Sequence, residues 1–284
     1  MSKVITAPTW LWMIASRPAP IAPHRAAPAS PSEAEQQDVA AGEHDRDATP
    51  GEDPVPDRPA FVGSLSQDER DLGMTEVSQR RRVTAVLFDR FELLDVFGPL
   101  ELFGALSDHF EIGLVGPVAG PVRSSQGPSV FAETTYAEAE VPDVVLVPGG
   151  IGTRALVQDS SFRSWLAGWA VQAEIVASVC TGSAVLASAG LLDGYRATSN
   201  KRAFGWAKEQ GPHVDWVAKA RWVEDRDRWT SSGVAAGMDM TLALIASMHS
   251  EELASALADR VELEWHRDPG WDPFAFVNGA LGNR

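Results

Sequence analysis

A chain of 284 residues with 44% hydrophobic and 22% charged residues is long enough for one large or two small domains and apolar enough to bury a core. Its formal net charge of −15 disfavours nucleic-acid backbones and anionic membranes as partners, and no apolar run reaches the roughly 18 residues needed to span a bilayer. The single cysteine, Cys180, excludes an internal disulfide and a multi-thiolate zinc site, and it suits a reducing cytoplasm.

The N-terminal stretch carries one lysine before a short apolar run that Pro8 interrupts, a poor match to a secretion signal. From Arg17 to about Gln79 the chain is rich in Ala, Pro, Glu and Asp without a sustained period. Such a segment buries too little apolar surface to offset its ordering entropy. The expected division is therefore a disordered extension over residues 1–78 and a globular domain over 79–284, with Met74 an alternative start. From Arg81 short apolar runs alternate with helical patterns. Strands are predicted over Val83 to Phe88, Phe110 to Gly116, Val144 to Gly150 and Glu174 to Val179. Between them fall helices over Asp95 to Leu106, a run capped by Asp159 or Ser160, and Thr181 to Ala189. "ARWVE" and "RWTSS" add extended segments, and long helices are predicted over Ala235 to Met248 and Ser250 to Trp265. This alternation argues for an α/β fold, a mostly parallel sheet with helices on both faces.

Ligands of open α/β sheets bind beyond the carboxyl ends of the strands, where three segments of this chain converge. Cys180 follows an apolar strand and precedes Thr-Gly-Ser. It is either a small buried core residue or a nucleophile on a sharp strand-to-helix turn, where backbone amides favour a thiolate. "PGG" (Pro148 to Gly150) ends another strand, and the amides of Gly149 and Gly150 are candidates for an oxyanion hole. Asp95, after the first strand, is a helix N-cap or an acid serving the thiol.

Together "LLDVFGPLELFGAL", "DVVLVPGGIGTRAL", "ASVCTGSAVLASAGLLDGYRATSNKRAF" and "WTSSGVAAGMDMTLALIA" resemble the ThiJ/PfpI superfamily, related to class I glutamine amidotransferases, across nearly all of residues 83 to 266. The likeness is nearest to the isocyanide hydratases and to the amidotransferase-like domain of AraC-type regulators. The resemblance implies a flavodoxin-like three-layer sandwich, a homodimer, and a cysteine at a strained elbow with an acid beside it. Cys180 and Asp95 take those two places, with Thr181, Gly182, Gly149 and Gly150 around the reacting atoms. It implies nucleophilic addition of the thiol to a small electrophile such as an isocyanide, with no metal or organic cofactor. Relatives read A-T-T-H-W where this chain reads "ATSNK", so Asn200 replaces a histidine. Asparagine donates and accepts hydrogen bonds but cannot titrate, so substrate choice is expected to differ.

Two alternatives stand beside that reading. One is a redox-sensing or ligand-binding protein without turnover, since an exposed low-pKa thiolate oxidises readily. The other is a glyoxalase or deglycase, which the lack of a histidine after Cys180 and the presence of Asn200 count against. No helix-turn-helix pattern accompanies the domain, and with this net charge direct regulation of transcription is not expected. Trp165 and Trp169 lie four apart, a core or interface stripe. Asp239 is expected to be a structural hydrogen-bond partner and His266 to sit at an exposed helix end.

Overall fold

In the computed structural model, which describes residues 80–278, the apolar strands are buried on both faces and divide their side chains between two cores. Strand β1 (Arg81–Val86) is followed by α1 (Leu93–Gly104), β2 (Phe110–Gly116), the hairpin β3 (Gly120–Arg123) and β4 (Ser129–Ala132), and β5 (Thr134–Thr135). Then come β6 (Val144–Val147), α2 (Thr153–Leu156), α3 (Ser160–Ala170), β7 (Ile175–Ser178), α4 (Gly182–Ser188) and β8 (Arg196–Ala197). A 3-10 turn (Lys201–Ala203) leads into α5 (Phe204–Glu209), β9 (Asp215–Trp216), β10 (Trp222–Asp225), β11 (Arg228–Ser231), α6 (Ala236–Met248), α7 (Glu251–Arg260) and α8 (Phe274–Val277).

Val83, Ala85, Val144, Leu146, Ile175 and Ala177 enter one core, against α1, α6 and α7. Their neighbours Val86, Val145, Val147 and Val176 enter the other, against α3 and α4. That period of two is the reason "VVLV" reads as an unbroken apolar run: a parallel strand covered on both sides has no solvent face. The main sheet has seven strands in the order β10-β11-β7-β6-β1-β2-β5. β10 runs antiparallel to β11, and the other pairs are parallel. The carboxyl ends of β11, β7, β6 and β1 therefore lie side by side on one edge.

Several elements depart from the sequence reading. The last long helix ends at Arg260, not Trp265: Glu262 adopts a left-handed φ of 52°, and the amides of Glu262 and Leu263 return to the carbonyls of Asp259 and Ala258. This is a Schellman cap without the usual glycine, so the sequence gives no stop signal. α1 starts at Leu93, two residues early, with Glu92 at its N-cap. Asp95 is thus inside the first turn and is not a cap. The strand after Asp143 stops at Val147, before Pro148, which has no N–H to continue the ladder. The β3–β4 hairpin and the two-residue strands carry too short a pattern to be read in advance. Asp159 does cap α3, its side chain accepting from the Phe162 amide at 3.0 Å. Trp165 and Trp169 stack at 5.0 Å within the core layer beside Tyr136. No helix among the described residues is long and apolar enough to cross a membrane. The segment over residues 1–78 lies outside the described residues.

Candidate active site

Four loops leave the shared edge of the sheet and meet around one sulfur. Cys180 stands two residues past β7 with φ at 59°, a left-handed conformation that costs a non-glycine residue roughly 1–2 kcal/mol. The surroundings hold it there. Its N–H donates to the Ser232 carbonyl at 2.9 Å, and its own carbonyl accepts from the hydroxyls of Ser183 at 3.1 Å and Ser199 at 3.0 Å. Strain maintained by so many partners is the mark of a residue aimed at something.

Asn200 Nδ2 donates to the Cys180 Sγ at 3.1 Å. The orientation of this amide is fixed from the other end, because Oδ1 accepts from the amides of Arg202 at 2.9 Å and Ala203 at 3.2 Å. The backbone amides of Thr181 and Val234 also face the sulfur and favour charge on it. Three N–H groups therefore converge on the position where a thiolate would carry its charge. Val234, in the loop between β11 and α6, belongs to the segment "GVAAGMD" that the family resemblance places beside the site, but nothing in the sequence singles out its amide.

Asp95 is fully buried, at 0% exposure. Its Oδ2 accepts from the Gly149 amide at 2.8 Å, while Oδ1 has no partner of full hydrogen-bond geometry. Burial pushes its pKa up to about 7; the Gly149 bond opposes this, the charge of Glu92 adds to it, and the Cys180 thiol, acting as a donor, opposes it. The Cys180 thiol is itself pushed up, by burial first and by the Asp95 charge second, against the Thr181, Asn200 and Val234 donors. Neither group ionises easily while the other is charged, so the pair keeps both protons below about pH 7 and holds one proton and one negative charge above it. That is the equipment of a base that takes a thiol proton as the sulfur attacks, and it differs from a preformed thiolate. α4 spans only seven residues, so the individual amides carry the stabilisation expected earlier of a helix end.

The glycines act differently from the expectation. The Gly149 N–H is engaged by Asp95, and the Gly150 N–H donates to Thr181 Oγ1 at 3.1 Å. They fix the acid and the threonine and leave no free pair of amides for an oxyanion. A Cβ at Gly149 would come within 2.6 Å of the Thr181 amide and 2.8 Å of Asp95 Oδ2. A Cβ at Gly182 would come within 2.1 Å of the Val147 carbonyl oxygen. Gly149→Ala is expected to displace Asp95, lowering stability by about 1–3 kcal/mol in thermal unfolding and reducing turnover at the same time. Unchanged values of both would mean that the loop has room to spare.

Thr181 Oγ1 also lies 3.2 Å from Thr153 Oγ1, which accepts from Arg154 Nη1 at 3.1 Å. The Arg154 guanidinium lies over the Trp206 ring at 3.6 Å. A cavity of about 250 Å³ opens at Asn200, between Val234, Ala235, Phe274, Arg202 and Lys201. Lys201 is buried, its Nζ tied to Thr198 Oγ1 at 2.7 Å and the Ala220 carbonyl at 2.6 Å. Asp239 accepts from Arg221 Nε at 2.7 Å and the His266 amide at 2.9 Å, a structural role. His266 follows a helix that has already ended, and its Nε2 is buried without a partner; it is not among the groups acting on the thiol. Among the described residues no cluster of three His, Cys, Asp or Glu is placed to hold a metal ion.

The sequence profile described as the DJ-1/PfpI family matches residues 81–247. The isonitrile hydratase of Pseudomonas putida is 35% identical over 189 residues, 66% of this chain and 79% of that protein. The HTH-type transcriptional regulator GbdR of Pseudomonas aeruginosa is 36% identical over 138 residues; the match spans 49% of this chain but only 37% of the regulator. Among solved structures, a ThiJ/PfpI family protein from Pseudomonas syringae superposes with a TM-score of 0.62 at 27% identity, covering 78% of this chain and 92% of the other.

Proposed function

The chain belongs to the DJ-1/PfpI family, and on that premise we propose that it is a cysteine-dependent hydratase of small isocyanides. The observation that carries this reading is the pairing of a buried carboxyl of pKa about 7, Asp95, with a thiol that receives three N–H donors. Such a pair moves a proton at neutral pH without a histidine. The 35% identity to an isonitrile hydratase supports the substrate class.

In the proposed reaction Sγ of Cys180 bonds the terminal isocyanide carbon. Asp95 takes the thiol proton and delivers it to that carbon, giving a thioimidate, R–N=CH–S–Cys180. Water then adds to the same carbon while Asp95 relays its proton and the nitrogen is protonated. The carbon–sulfur bond breaks, the thiol recovers its proton and R–NH–CHO leaves. The Thr181, Asn200 and Val234 donors stabilise charge on sulfur at attack and at departure. Cys180 is only 6% exposed and its pKa is raised, both unfavourable to a peroxide sensor, which needs an accessible thiolate. We read the working unit as a cytoplasmic homodimer, in line with the family resemblance.

Incubation of the protein with an aryl isocyanide is expected to yield the N-aryl formamide, followed by chromatography. No formamide above the buffer control overturns the reading. Asn200→Ala removes one donor to sulfur, a bond to an incipient anion that is worth about 1.5–3 kcal/mol. It is expected to slow iodoacetamide labelling of Cys180 about tenfold or more at fixed pH. The same change deletes the cap of the 3-10 turn and lowers stability by about 1 kcal/mol, read by thermal melting.

A further inference from the structure

In a chain of net charge −15, the approach to Cys180 is basic. Arg154, on α2, bonds Thr153, which in turn contacts Thr181, the residue after the thiol. Its guanidinium is steadied flat on Trp206. Arg202, one turn before Trp206 and two residues after Asn200, is exposed and lines the cavity that opens at Asn200. No carboxylate among the described residues lies within ion-pair distance of either arginine, whereas Arg221 in the same cavity is held by Asp239 and Lys201 is tied to Thr198 and Ala220. Of the acids nearby, Asp239 is neutralised by Arg221, while Asp95 accepts from Gly149, Glu92 from Gln126 Nε2 at 2.5 Å and Asp272 from Ser232, so none of these bonds engages Arg154 or Arg202. Gly233, Val234, Ala235 and Phe274 give the lining its apolar part, and Ser232 and Asn278 add neutral polar groups.

From this arrangement we propose that Arg154 and Arg202 select a substrate that carries an anionic group, a carboxylate or its equivalent, a few atoms from the carbon that Cys180 attacks. The apolar walls take the intervening alkyl or aryl spacer, and the guanidinium groups take the charge. A planar fork without an acid partner binds a carboxylate bidentately, and clefts lined by one sign of charge concentrate the opposite sign. Burial lowers the Arg154 pKa, and the charge of a Cys180 thiolate pulls against that, which places the guanidinium within electrostatic reach of the sulfur. The proposal rests on the reading of Cys180 as the nucleophile.

Two alkylating reagents of the same reactive group but different charge test it. The full chain is labelled with iodoacetate and with iodoacetamide at one pH, and the rate ratio at Cys180 is read by intact mass against glutathione. In both reactions sulfur bonds the methylene carbon and iodide leaves, so only charge recognition separates them. The expected ratio favours iodoacetate by about tenfold relative to glutathione, and Arg202→Gln and Arg154→Gln each bring it back by about threefold or more. A wild-type ratio equal to that of glutathione, or variants that leave the ratio unchanged, overturns the anion site. Labelling by neither reagent overturns the nucleophile reading and the proposal with it. A ratio that favours iodoacetate, without aryl isocyanide turnover, establishes the anion site and overturns only the hydratase reading. The Arg202 side chain is exposed and makes no hydrogen bond among the described residues, and its backbone amide, which holds Asn200, is kept in Arg202→Gln, so this variant keeps the test interpretable should Arg154→Gln unfold.

Discussion

Cys180→Ala is expected to abolish formamide formation, with a loss of at least about 10³-fold, because the group that forms the covalent intermediate is gone while the cavity remains. The comparison with Cys180→Gly adds a second readout that does not depend on the substrate. Both variants lack the thiol, and they differ in whether a Cβ must occupy a φ of 59°. Glycine releases a strain of roughly 1–2 kcal/mol and loses a smaller amount, about 0.4–1 kcal/mol, to the greater entropy of its unfolded chain. The glycine variant is therefore expected to melt about 2–4 °C above the alanine variant. Formamide formation at the wild-type rate by either variant removes Cys180 from the chemistry. A glycine variant that melts below the alanine variant shows that the elbow is not strained.

The strands that build the site were legible because their burial leaves a simple trace. "VTAVLF", "VVLV" and "EIVASV" are apolar at nearly every buried position, Thr84 and Ser178 being the exceptions, and each is followed by a residue type that does not belong in a strand: Asp, Pro-Gly-Gly, Cys-Thr-Gly. Parallel pairing then puts those residues on one edge whatever the loop details. Contacts made across loops left no such trace. The Val234 amide reaches the sulfur through backbone that any residue would supply. The orientation of Asn200 depends on two amides behind it, and Arg154 is brought to the site by a stacking partner 52 positions away. Gly149 and Gly150 were read from their place after a strand as candidates for an oxyanion hole. Their N–H groups were assigned to a reacting oxygen because sequence cannot reveal that Asp95 and Thr181 already hold them. The end of α7 at Arg260 was missed for a related reason: a left-handed glutamate does the work usually done by glycine.

Asp95→Asn is the other change of large effect, and it separates two consequences of one buried proton. Between the unfolded carboxyl pKa near 4 and the folded value of about 7, the folded chain keeps a proton that the unfolded chain has lost. The folded state binds more protons in this window, so stability falls as pH rises through it. The contribution is complete below about pH 4 and gone above about pH 7, a change of a few kcal/mol. Asparagine is neutral throughout, and its carbonyl still accepts the Gly149 amide. The variant is therefore expected to lose this pH slope and to melt above the wild type at pH 8. Turnover moves the opposite way. The step in which the carboxylate takes the thiol proton needs Asp95 ionised, so wild-type kcat/KM should rise through a limb near pH 7 that belongs to the coupled pair. Asparagine removes that limb and lowers turnover by about 10²- to 10⁴-fold. A carboxyl that only fills space would show the stability change without the kinetic one. Wild-type turnover in the variant, or a flat wild-type profile between pH 6 and 8, would set Asp95 apart from the proton transfer.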